Sequence, residues 1–269
     1  MDFIKNDYRE EITSQSRKEL ESLARWQYDN YGSWPVIIGG WAVWSYYSNG
    51  YGSRDIDLIL PSNNKITENM IKNYFPDNGI KEYPDSVFSQ TVHYRKPIQI
   101  ADGTKDDIIF DMLSADKPRP DPEDLGVYVD WNWADQYGND MSLGNVFIKI
   151  PEPELLIPLK IIGAVARTRY MRTQLDTAYI RSKIWKDYYD VAVLTNNLDL
   201  SMKKMKFHWK NTRLTNNLRN EFLDGYISRS DVLQEANSRY PKISGNLPIL
   251  KRKKKKRSQI STRSKRKDS

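Results

Sequence analysis

The sequence of 269 residues contains no cysteine and only two histidines, His93 and His208. Without cysteine there can be no disulfide framework and no thiolate zinc site, and two histidines are too few for an imidazole cluster. We therefore expect any metal ion in this protein to be held mainly by oxygen ligands.

Long apolar runs are also absent, since no stretch approaches the roughly 20 apolar residues that a membrane-spanning helix needs. The first residues, MDFIKNDYREE, include acids where a signal peptide has basic and then apolar residues. The sequence therefore predicts a cytoplasmic protein that has no membrane partner.

Charge is distributed unevenly along the chain. The formal net charge is +7, but eleven of the 42 Lys and Arg residues lie after Leu250, with a single Asp among them. The rest of the chain has 31 basic and 34 acidic residues and thus a net charge of about −3. Because the basic segment has too few apolar residues to pack, we expect a disordered tail, which is either simply solvated or an electrostatic tether to RNA or DNA.

The first half of the chain alternates helical and extended patterns. Helices are predicted over 10–30, 41–47 and 65–75, and strands over 36–38, 55–60, 86–100 and 107–113. The segment 115–144 is rich in Pro, Asp, Trp and Gly and is expected to be loop-like, with one strand candidate at 127–133.

The second half is predicted to be mostly helical. A strand over 145–150 is followed by helix candidates over 151–167, 179–194, 214–227 and 230–240. Pro158 should lie in the first turn of its helix or cause a kink. These patterns predict an α+β catalytic domain (1–150), a helical C-terminal domain (151–245) and a basic tail (246–269).

Three aspartates carry the clearest chemical signal. Asp55 and Asp57 are two residues apart on a predicted strand, so their side chains point to the same face. Carboxylates that lie this close repel each other unless a cation such as Mg²⁺ neutralises them. Asp111, in another predicted strand, can supply a third ligand if the strands are neighbours. Three carboxylates can hold two ions about 3.5–4 Å apart, which suits in-line displacement at phosphorus.

A glycine pair complements these acids. Gly39 and Gly40 lack a Cβ, so their backbone N–H groups can approach a ligand, and the N-terminus of the following helix favours phosphate. Ser53 can add a hydroxyl to a terminal phosphate. A Gly-Gly pair or an Asp-x-Asp pair alone is more often a turn or a solvated strand edge. The ordered combination, however, predicts a triphosphate cradle opposite a metal site.

The segments Ile37-Ile38-Gly39-Gly40 and Asp55-Ile56-Asp57-Leu58 resemble the signature of the polymerase β-like nucleotidyltransferase superfamily. This resemblance implies an α+β fold with a mixed sheet flanked by helices, an Mg²⁺ or Mn²⁺ cofactor and an NTP substrate. The letters GGWAV and DIDL are similar to those of the aminoglycoside and lincosamide nucleotidyltransferases, which transfer a nucleoside monophosphate to an antibiotic hydroxyl.

A second branch, the AbiEii-type toxins, is similar to both halves of the chain as far as about residue 195. Its lysine-bearing helix resembles the segment from Pro153 to Arg167, and its later aspartate-bearing helix resembles the segment from Lys186 to Val191. The resemblance implies nucleotide transfer to RNA, including tRNA, and a cognate antitoxin protein as partner.

By the same resemblance, residues of both segments would take part in the site. The implied catalytic residues are Asp55, Asp57, Asp111, Lys160 and either Asp187 or Asp190, and the implied nucleotide-binding residues are Gly39, Gly40, Trp41, Ser53, Arg54 and Arg167. The implied metal ligands are Asp55, Asp57 and Asp111.

Structural alternatives exist for several of these residues. Lys160 and Arg167 could form a basic helix face next to solvent. Asp187 and Asp190 share a helix face, where Lys183 and Lys186 could simply pair with them. Trp41 could belong to the core rather than stack on a base.

The acceptor is also open. RNA or tRNA is preferred, and the alternatives are an antibiotic, another small molecule or a protein hydroxyl. From a different class, the chain could be a binding module of a toxin–antitoxin pair that keeps the fold but has lost turnover.

Overall fold

The structure is a computed structural model that describes residues 8–48, 50–62, 64–83, 92–119, 121–173, 177–240 and 247. Its helices are α1 (Glu10–Tyr31), α2 (Gly39–Tyr46), α3 (Asn64–Asn69, a π-helical turn Met70–Tyr74 and a last turn Phe75–Asp77), α4 (Asn132–Gln136), α5 (Pro153–Thr173), α6 (Ala178–Asn197), α7 (Met202–Asn211), α8 (Asn216–Ile227) and α9 (Ser230–Arg239). A short 3₁₀ turn covers Pro122–Asp124.

The strands form one mixed sheet. They are β1 (Val36–Ile38), β2 (Asp55–Leu60), β3 (Lys81–Tyr83), β4 (Val92–Gln99), β5 (Lys105–Ser114), β6 (Gly138–Leu143) and β7 (Val146–Pro151). Within the described residues their order across the sheet is β3-β4-β5-β2-β1-β7-β6. The pairs β2–β5 and β1–β7 are parallel, whereas the other neighbours are antiparallel. The α+β class with a mixed sheet is therefore confirmed.

The middle of this sheet is formed by β1, β2 and β5. On β2 the buried aliphatic residues Ile56, Leu58 and Ile59 fix the strand in the core, and Pro61 follows its end. The register places Asp57 opposite Ile38 on one side and opposite Asp111 on the other. The predicted carboxylates thus lie on two neighbouring strands at the centre of the sheet.

Helix α5 is deeply buried in the C-terminal half. It is apolar on nearly every side, which is typical of a helix surrounded by protein. Its buried residues run from Glu154 to Ala166 with few interruptions. Pro158 is the sixth residue of this helix and lies inside it rather than in its first turn. Helix α6 packs along α5, and this pair brings the polar residues described below next to the sheet.

Most of the predicted elements are present, with small differences at their ends. The strand predicted over 86–100 is described only as Val92–Gln99, because 84–91 lie outside the described residues. Apart from Leu247, the basic tail predicted over 246–269 lies outside them as well. No helix of the described part of the chain combines the length and hydrophobicity that a transmembrane helix requires.

Two regions differ from the prediction. The expected loop over 115–144 contains α4 and the strand β6, while its strand candidate at 127–133 makes only a single bridge, between Arg119 and Val129. β6 forms because its backbone pairs with β7 through a tight turn, in which Gly144 takes a positive φ of 58°. Helix α7 lies in a segment for which no element was predicted.

The core of the described residues is a single cluster of buried hydrophobic side chains. It includes Leu20 of α1, Ile56 and Phe110 of the sheet, and Tyr189 and Phe222 of the C-terminal helices. The sheet and the C-terminal helices thus share one core, and the boundary near residue 150 stays a prediction.

Candidate active site

The Gly39-Gly40 turn lies directly against the side chains of Asp57 and Ser53. Gly39 has a φ of +70°, a left-handed conformation that favours glycine, and a Cβ at this position would overlap the carboxylate of Asp57. A Cβ on Gly40 would lie 2.7 Å from Oγ of Ser53. The two glycines therefore allow the backbone to approach Asp57 and Ser53 at the start of α2.

Asp57 and Asp111 form a cross-strand pair of like charges. They occupy opposite positions in the parallel pairing of β2 and β5, where side chains of one face are neighbours. Burial and the negative charge of Asp111 raise the pKa of Asp57 from 3.8 to about 7, although Lys160 and Arg167 act in the opposite direction. The two carboxylates thus destabilise each other when both are ionised.

Asp111 is also held from its other side. His93 on β4 lies opposite Asp111, and its Nδ1 is 2.6 Å from Oδ1 of Asp111. Nothing in the sequence around His93 indicates this contact, because Asp111 lies 18 residues away. The antiparallel pairing of β4 with β5 makes this contact.

Asp55 has a different environment from Asp57. Its carboxylate is buried and accepts a hydrogen bond from Nζ of Lys183, and it forms a longer ion pair with Nε of Arg54 at 3.5 Å. Both cations lie over the ring of Tyr179, at 5.5 Å for Arg54 and 5.3 Å for Lys183. Asp55 is therefore neutralised by the protein itself.

The three predicted metal ligands are consequently not equivalent. The structure brings Asp57 and Asp111 together, whereas it pairs Asp55 with Lys183 and Arg54. Within the described residues, no three side chains of His, Cys, Asp or Glu form a group that could hold a metal ion. The described arrangement is a carboxylate pair, and metal binding stays a prediction.

A cluster of buried and partly buried charges connects α5 with α6. Nζ of Lys160 lies 3.1 Å from Oδ1 of Asp187 and 2.7 Å from Oδ2 of Asp190. Arg167 donates to Asp187, and Lys186 donates to Asp190. Both aspartates therefore have two cationic partners each, and we call these five residues the helix cluster.

The pKa values in the helix cluster follow from this pairing. Burial alone would lower the pKa of Lys160, but Asp190 and Asp187 hold it above its ordinary value. Burial would likewise lower the pKa of Arg167, and Asp187 raises it instead. The pKa of Lys186 is lowered, because burial outweighs the attraction of Asp190. Lys160 and Arg167 are thus firmly held as cations.

The helix cluster and the sheet carboxylates belong to one site. Lys160, Arg167 and Asp187 all act electrostatically on Asp57. Gly163 allows this approach on α5, since a Cβ there would lie 2.9 Å from Nη1 of Arg167 and 3.3 Å from Oδ2 of Asp187. The segments predicted from the two halves of the chain therefore meet at the centre of the sheet.

Several residues near this centre are not predicted as site residues from the sequence. Besides His93, they are Arg119, Tyr179, Lys183 and Lys186. Lys183 and Lys186 were interpreted as helix partners of Asp187 and Asp190, and for Lys186 that pairing is present. No sequence pattern indicates a role for Arg119, because it lies in an irregular segment. Burial and the charge of Arg167 lower its pKa to about 10.

Trp41 lies in the core and does not offer its ring to a base. Its side chain is 2% exposed, and its indole N–H donates to Oγ of Ser16 at 3.1 Å. The ring is therefore enclosed below the glycine turn rather than open to a ligand.

The sequence matches no known protein-family model and no curated protein. Among solved structures, similarity is found to an antigenic nucleotidyltransferase-like protein from Paracoccidioides brasiliensis, with 13% identity, a TM-score of 0.43 and coverage of 84% of this chain and 93% of that chain. Similarity is also found to the antibiotic-resistance factor ANT(2'')-Ia, with 13% identity, a TM-score of 0.37 and coverage of 84% and 98%. Similarity at this level says nothing about the activity of this chain.

Proposed function

We propose that this protein is a metal-dependent nucleotidyltransferase, which transfers a nucleoside monophosphate from an NTP to an acceptor hydroxyl. The observation that carries the proposal is the position of the Asp57–Asp111 pair directly beside the Gly39-Gly40 turn. A pair of like charges next to the N-terminus of a helix would provide both a cation site and a phosphate site.

Mg²⁺ or Mn²⁺ fits the carboxylate pair chemically. The pKa of Asp57 is raised by burial and by repulsion from Asp111, and a divalent cation with oxygen ligands would relieve this repulsion. Asp57 and Asp111 would hold the ion. Asp55 would become a further ligand if the ion displaced Lys183 from the Asp55 carboxylate. When bound, such an ion would neutralise negative charge on the phosphates and lower the pKa of the acceptor hydroxyl.

The phosphates of the NTP would be held by groups around this pair. The N-terminus of α2 at Gly39-Gly40 would donate backbone N–H groups, and Ser53 would donate its hydroxyl. Arg167, whose side chain is 40% exposed, and Lys160 would add positive charge from the opposite side. Arg54, which also faces Asp106 at 3.4 Å, is a further candidate for a phosphate contact.

The reaction would be an in-line displacement. The acceptor oxygen attacks the α-phosphorus, a new P–O bond forms, and the bond to the β-phosphate oxygen breaks so that pyrophosphate leaves. Asp111 would accept the proton of the acceptor hydroxyl, and His93 would hold its carboxylate in place for this role.

RNA or tRNA is the preferred acceptor. The support comes from the resemblance to AbiEii-type toxins and from the basic segment after Leu250, which would bind phosphates and release counterions. Deleting residues 251–269 should therefore reduce the salt dependence of RNA binding, and unchanged binding would remove this support. A cognate antitoxin protein is a further proposed partner, and an antibiotic or protein hydroxyl is the alternative acceptor.

The activity can be tested directly with each α-labelled NTP and total RNA in the presence of Mg²⁺. Transfer of label to RNA is expected, with its loss in Asp55→Ala, Asp57→Ala and Asp111→Ala. Asp107→Ala is the matched control, because Asp107 also lies on β5 but pairs with Arg95 at 3.7 Å outside the site. Transfer that persists in both Asp55→Ala and Asp57→Ala would refute the proposal.

One observation favours a second candidate, a binding module without turnover. Asp55 is already neutralised by Lys183 and Arg54, so part of the site is electrostatically satisfied without a metal ion. NTP binding that does not depend on Mg²⁺, together with no release of pyrophosphate, would favour this candidate over the enzyme.

A further inference from the structure

Helix α7 has a solvent-exposed face that is strongly basic. Lys203, Lys206, Phe207 and Lys210 are all exposed and are spaced three, four and seven residues from the first, which places them on one side of the helix. We call these four residues the α7 face. The helix has no acidic residue along its length, and Phe207 exposes 44% of its surface among the three ammonium groups.

The opposite side of α7 is fixed in the protein. Met205 and His208 are fully buried, and Nε2 of His208 lies 2.6 Å from Oε1 of Glu152, just before α5. Lys204 forms an ion pair with the same Glu152 at 2.5 Å. In the described residues, by contrast, no acidic group lies within ion-pair distance of Lys203, Lys206 or Lys210. The α7 face is thus rigidly mounted and carries charge that the protein does not neutralise.

A series of contacts connects α7 with the active site. Arg213, just after the helix, lies over the ring of Tyr128 at 5.5 Å, and the N–H of Tyr128 donates to the carbonyl of Thr212 at 3.0 Å. The next residue of that segment, Val129, pairs with Arg119. Arg119 in turn is within electrostatic reach of Arg167 and Asp187. Exposed Arg213 and partly buried Arg119 therefore continue the positive charge from α7 to Arg167, which in turn acts on Asp57.

We propose that the α7 face binds a single-stranded nucleic acid and that the track Arg213–Arg119 leads its acceptor hydroxyl to the Asp57–Asp111 pair. This inference rests on the proposed function for its second half only. Three unpaired ammonium groups match phosphates, and an exposed aromatic ring among them offers a base a surface to stack on. The face spans about 10 Å along the helix, or about three nucleotides of a stacked strand.

An acidic protein segment would match the ammonium groups equally well but would gain nothing from Phe207 or from a path to a nucleotidyl-transfer site. A double helix would also match the charges, although its bases are not free to stack on a side chain. Single-stranded nucleic acid is the ligand that uses both the charges and the ring.

The binding half is tested without NTP, by fluorescence anisotropy of labelled 20-nucleotide oligouridine and its deoxy counterpart over a range of salt concentrations. The full-length protein is compared with the triple variant Lys203→Gln, Lys206→Gln, Lys210→Gln. The control variant Lys18→Gln, Lys81→Gln, Lys105→Gln removes the same charge from exposed positions on α1, β3 and β5. Because the basic tail is present in every protein, its contribution cancels.

The α7 triple variant should bind at least about tenfold more weakly, and the slope of log K against log salt should fall by about 2, since each phosphate contact on a single strand contributes about 0.7. Phe207→Ala should weaken binding about tenfold without changing the slope, because it removes stacking and no charge. Equal affinity and slope in the α7 and control variants would overturn the inference. The inference would also be overturned if the α7 triple variant lost affinity for an acidic peptide but kept its affinity for both oligonucleotides.

The transfer half has a separate readout. If labelled nucleotide is transferred to RNA by the wild type, the α7 triple variant should raise KM for RNA and leave KM for NTP unchanged. Transfer to RNA with an unchanged KM in that variant would refute the α7 track while the proposed function stands. Binding at α7 without any transfer would refute the proposed function while the binding surface stands.

Discussion

The candidate site contains two pairs of carboxylates that are neutralised to very different extents. Asp57 and Asp111 face each other across two strands, and the charge of Asp111 helps to raise the pKa of Asp57 to about 7. Asp187 and Asp190 lie three residues apart on α6, and each has two cationic partners from the protein. The charges of Asp57 and Asp111 are therefore not fully neutralised by the protein, and we call them the incomplete pair. The charges of Asp187 and Asp190 are neutralised, and we call them the complete pair.

This difference separates two roles that the sequence presents alike. A complete cluster stabilises the contact of α5 with α6 and fixes Lys160 and Arg167 in place, so its residues depend on each other. An incomplete pair gains from a ligand that the protein does not supply, and its own removal should relieve strain rather than cause it. Measurements of stability should therefore distinguish the two pairs.

The largest effect is expected for Asp190→Asn. Asp190 is fully buried between Lys160 and Lys186, and its loss leaves a buried ammonium without its partner. We expect the free energy of unfolding to fall by about 3–5 kcal/mol, as measured by urea denaturation. The exposed Asp199→Asn is the control and should change stability by less than about 0.5 kcal/mol. A loss below about 1 kcal/mol for Asp190→Asn would mean that the helix cluster is not a stabilising unit.

The second effect concerns the glycine that approaches the incomplete pair. Gly39→Ala combines a left-handed backbone, which costs about 1–2 kcal/mol, with an overlap that displaces the Asp57 carboxylate, so we expect a total loss of about 3 kcal/mol. Gly79→Ala is a matched control, because Gly79 has the same φ of +70° but no atom within 4 Å of the added Cβ. Equal losses in the two variants would contradict close contact between the turn and Asp57.

The third effect has the opposite sign. The pKa of Asp57 rises from 3.8 to about 7 on folding, so the folded chain binds this proton more tightly than the unfolded chain. The stability that the bound proton contributes is therefore complete below pH 3.8 and is lost as the pH rises to about 7. Relative to wild type without metal, Asp57→Asn should therefore gain stability over this range. The full shift would correspond to about 4 kcal/mol, which solvent screening at this partly exposed position reduces to about 2 kcal/mol.

Urea denaturation between pH 4 and pH 8 in the presence of EDTA checks this prediction. Asp57→Ala also removes the titrating group and should give the same pH profile, although its packing differs. A difference between wild type and Asp57→Asn that stays constant with pH would show that folding does not raise the pKa of Asp57.

The sequence predicted the parts of this site that depend on local pattern. The strand β2 was found with its correct ends, because Asp55–Leu60 has aliphatic residues in a short run closed by Pro61. The Gly39-Gly40 turn is predicted from residue type, since glycine lacks a Cβ and lets the backbone approach other groups, and the structure adds the positive φ of Gly39. The Asp57–Asp111 pair requires that the strands carrying the two aspartates be neighbours, and β2 and β5 are paired in the sheet.

The parts that were not predicted depend on contacts between distant segments. Lys183 pairs with Asp55 across 128 positions, and no local pattern distinguishes it from a lysine that faces solvent. The strand β6, with the polar sequence GNDMSL, is extended because β7 pairs with it rather than because of its own propensity. Whether Asp187 and Asp190 were both functional was also open, and Lys160 contacts both.

The smallest effect is the response of stability to Mg²⁺, which tests directly whether the incomplete pair is completed by a cation. At pH 8, where Asp57 is ionised, Mg²⁺ at about ten times its Kd should stabilise the wild type by about 1.4 kcal/mol and raise Tm by about 4 °C. Asp57→Asn should lose most of this rise because it removes one ligand, and Asp187→Asn should retain it. Added KCl of equal ionic strength controls for general screening. A rise of the same size in wild type and Asp57→Asn would place the bound ion away from the sheet carboxylates, and both pairs would then be structural.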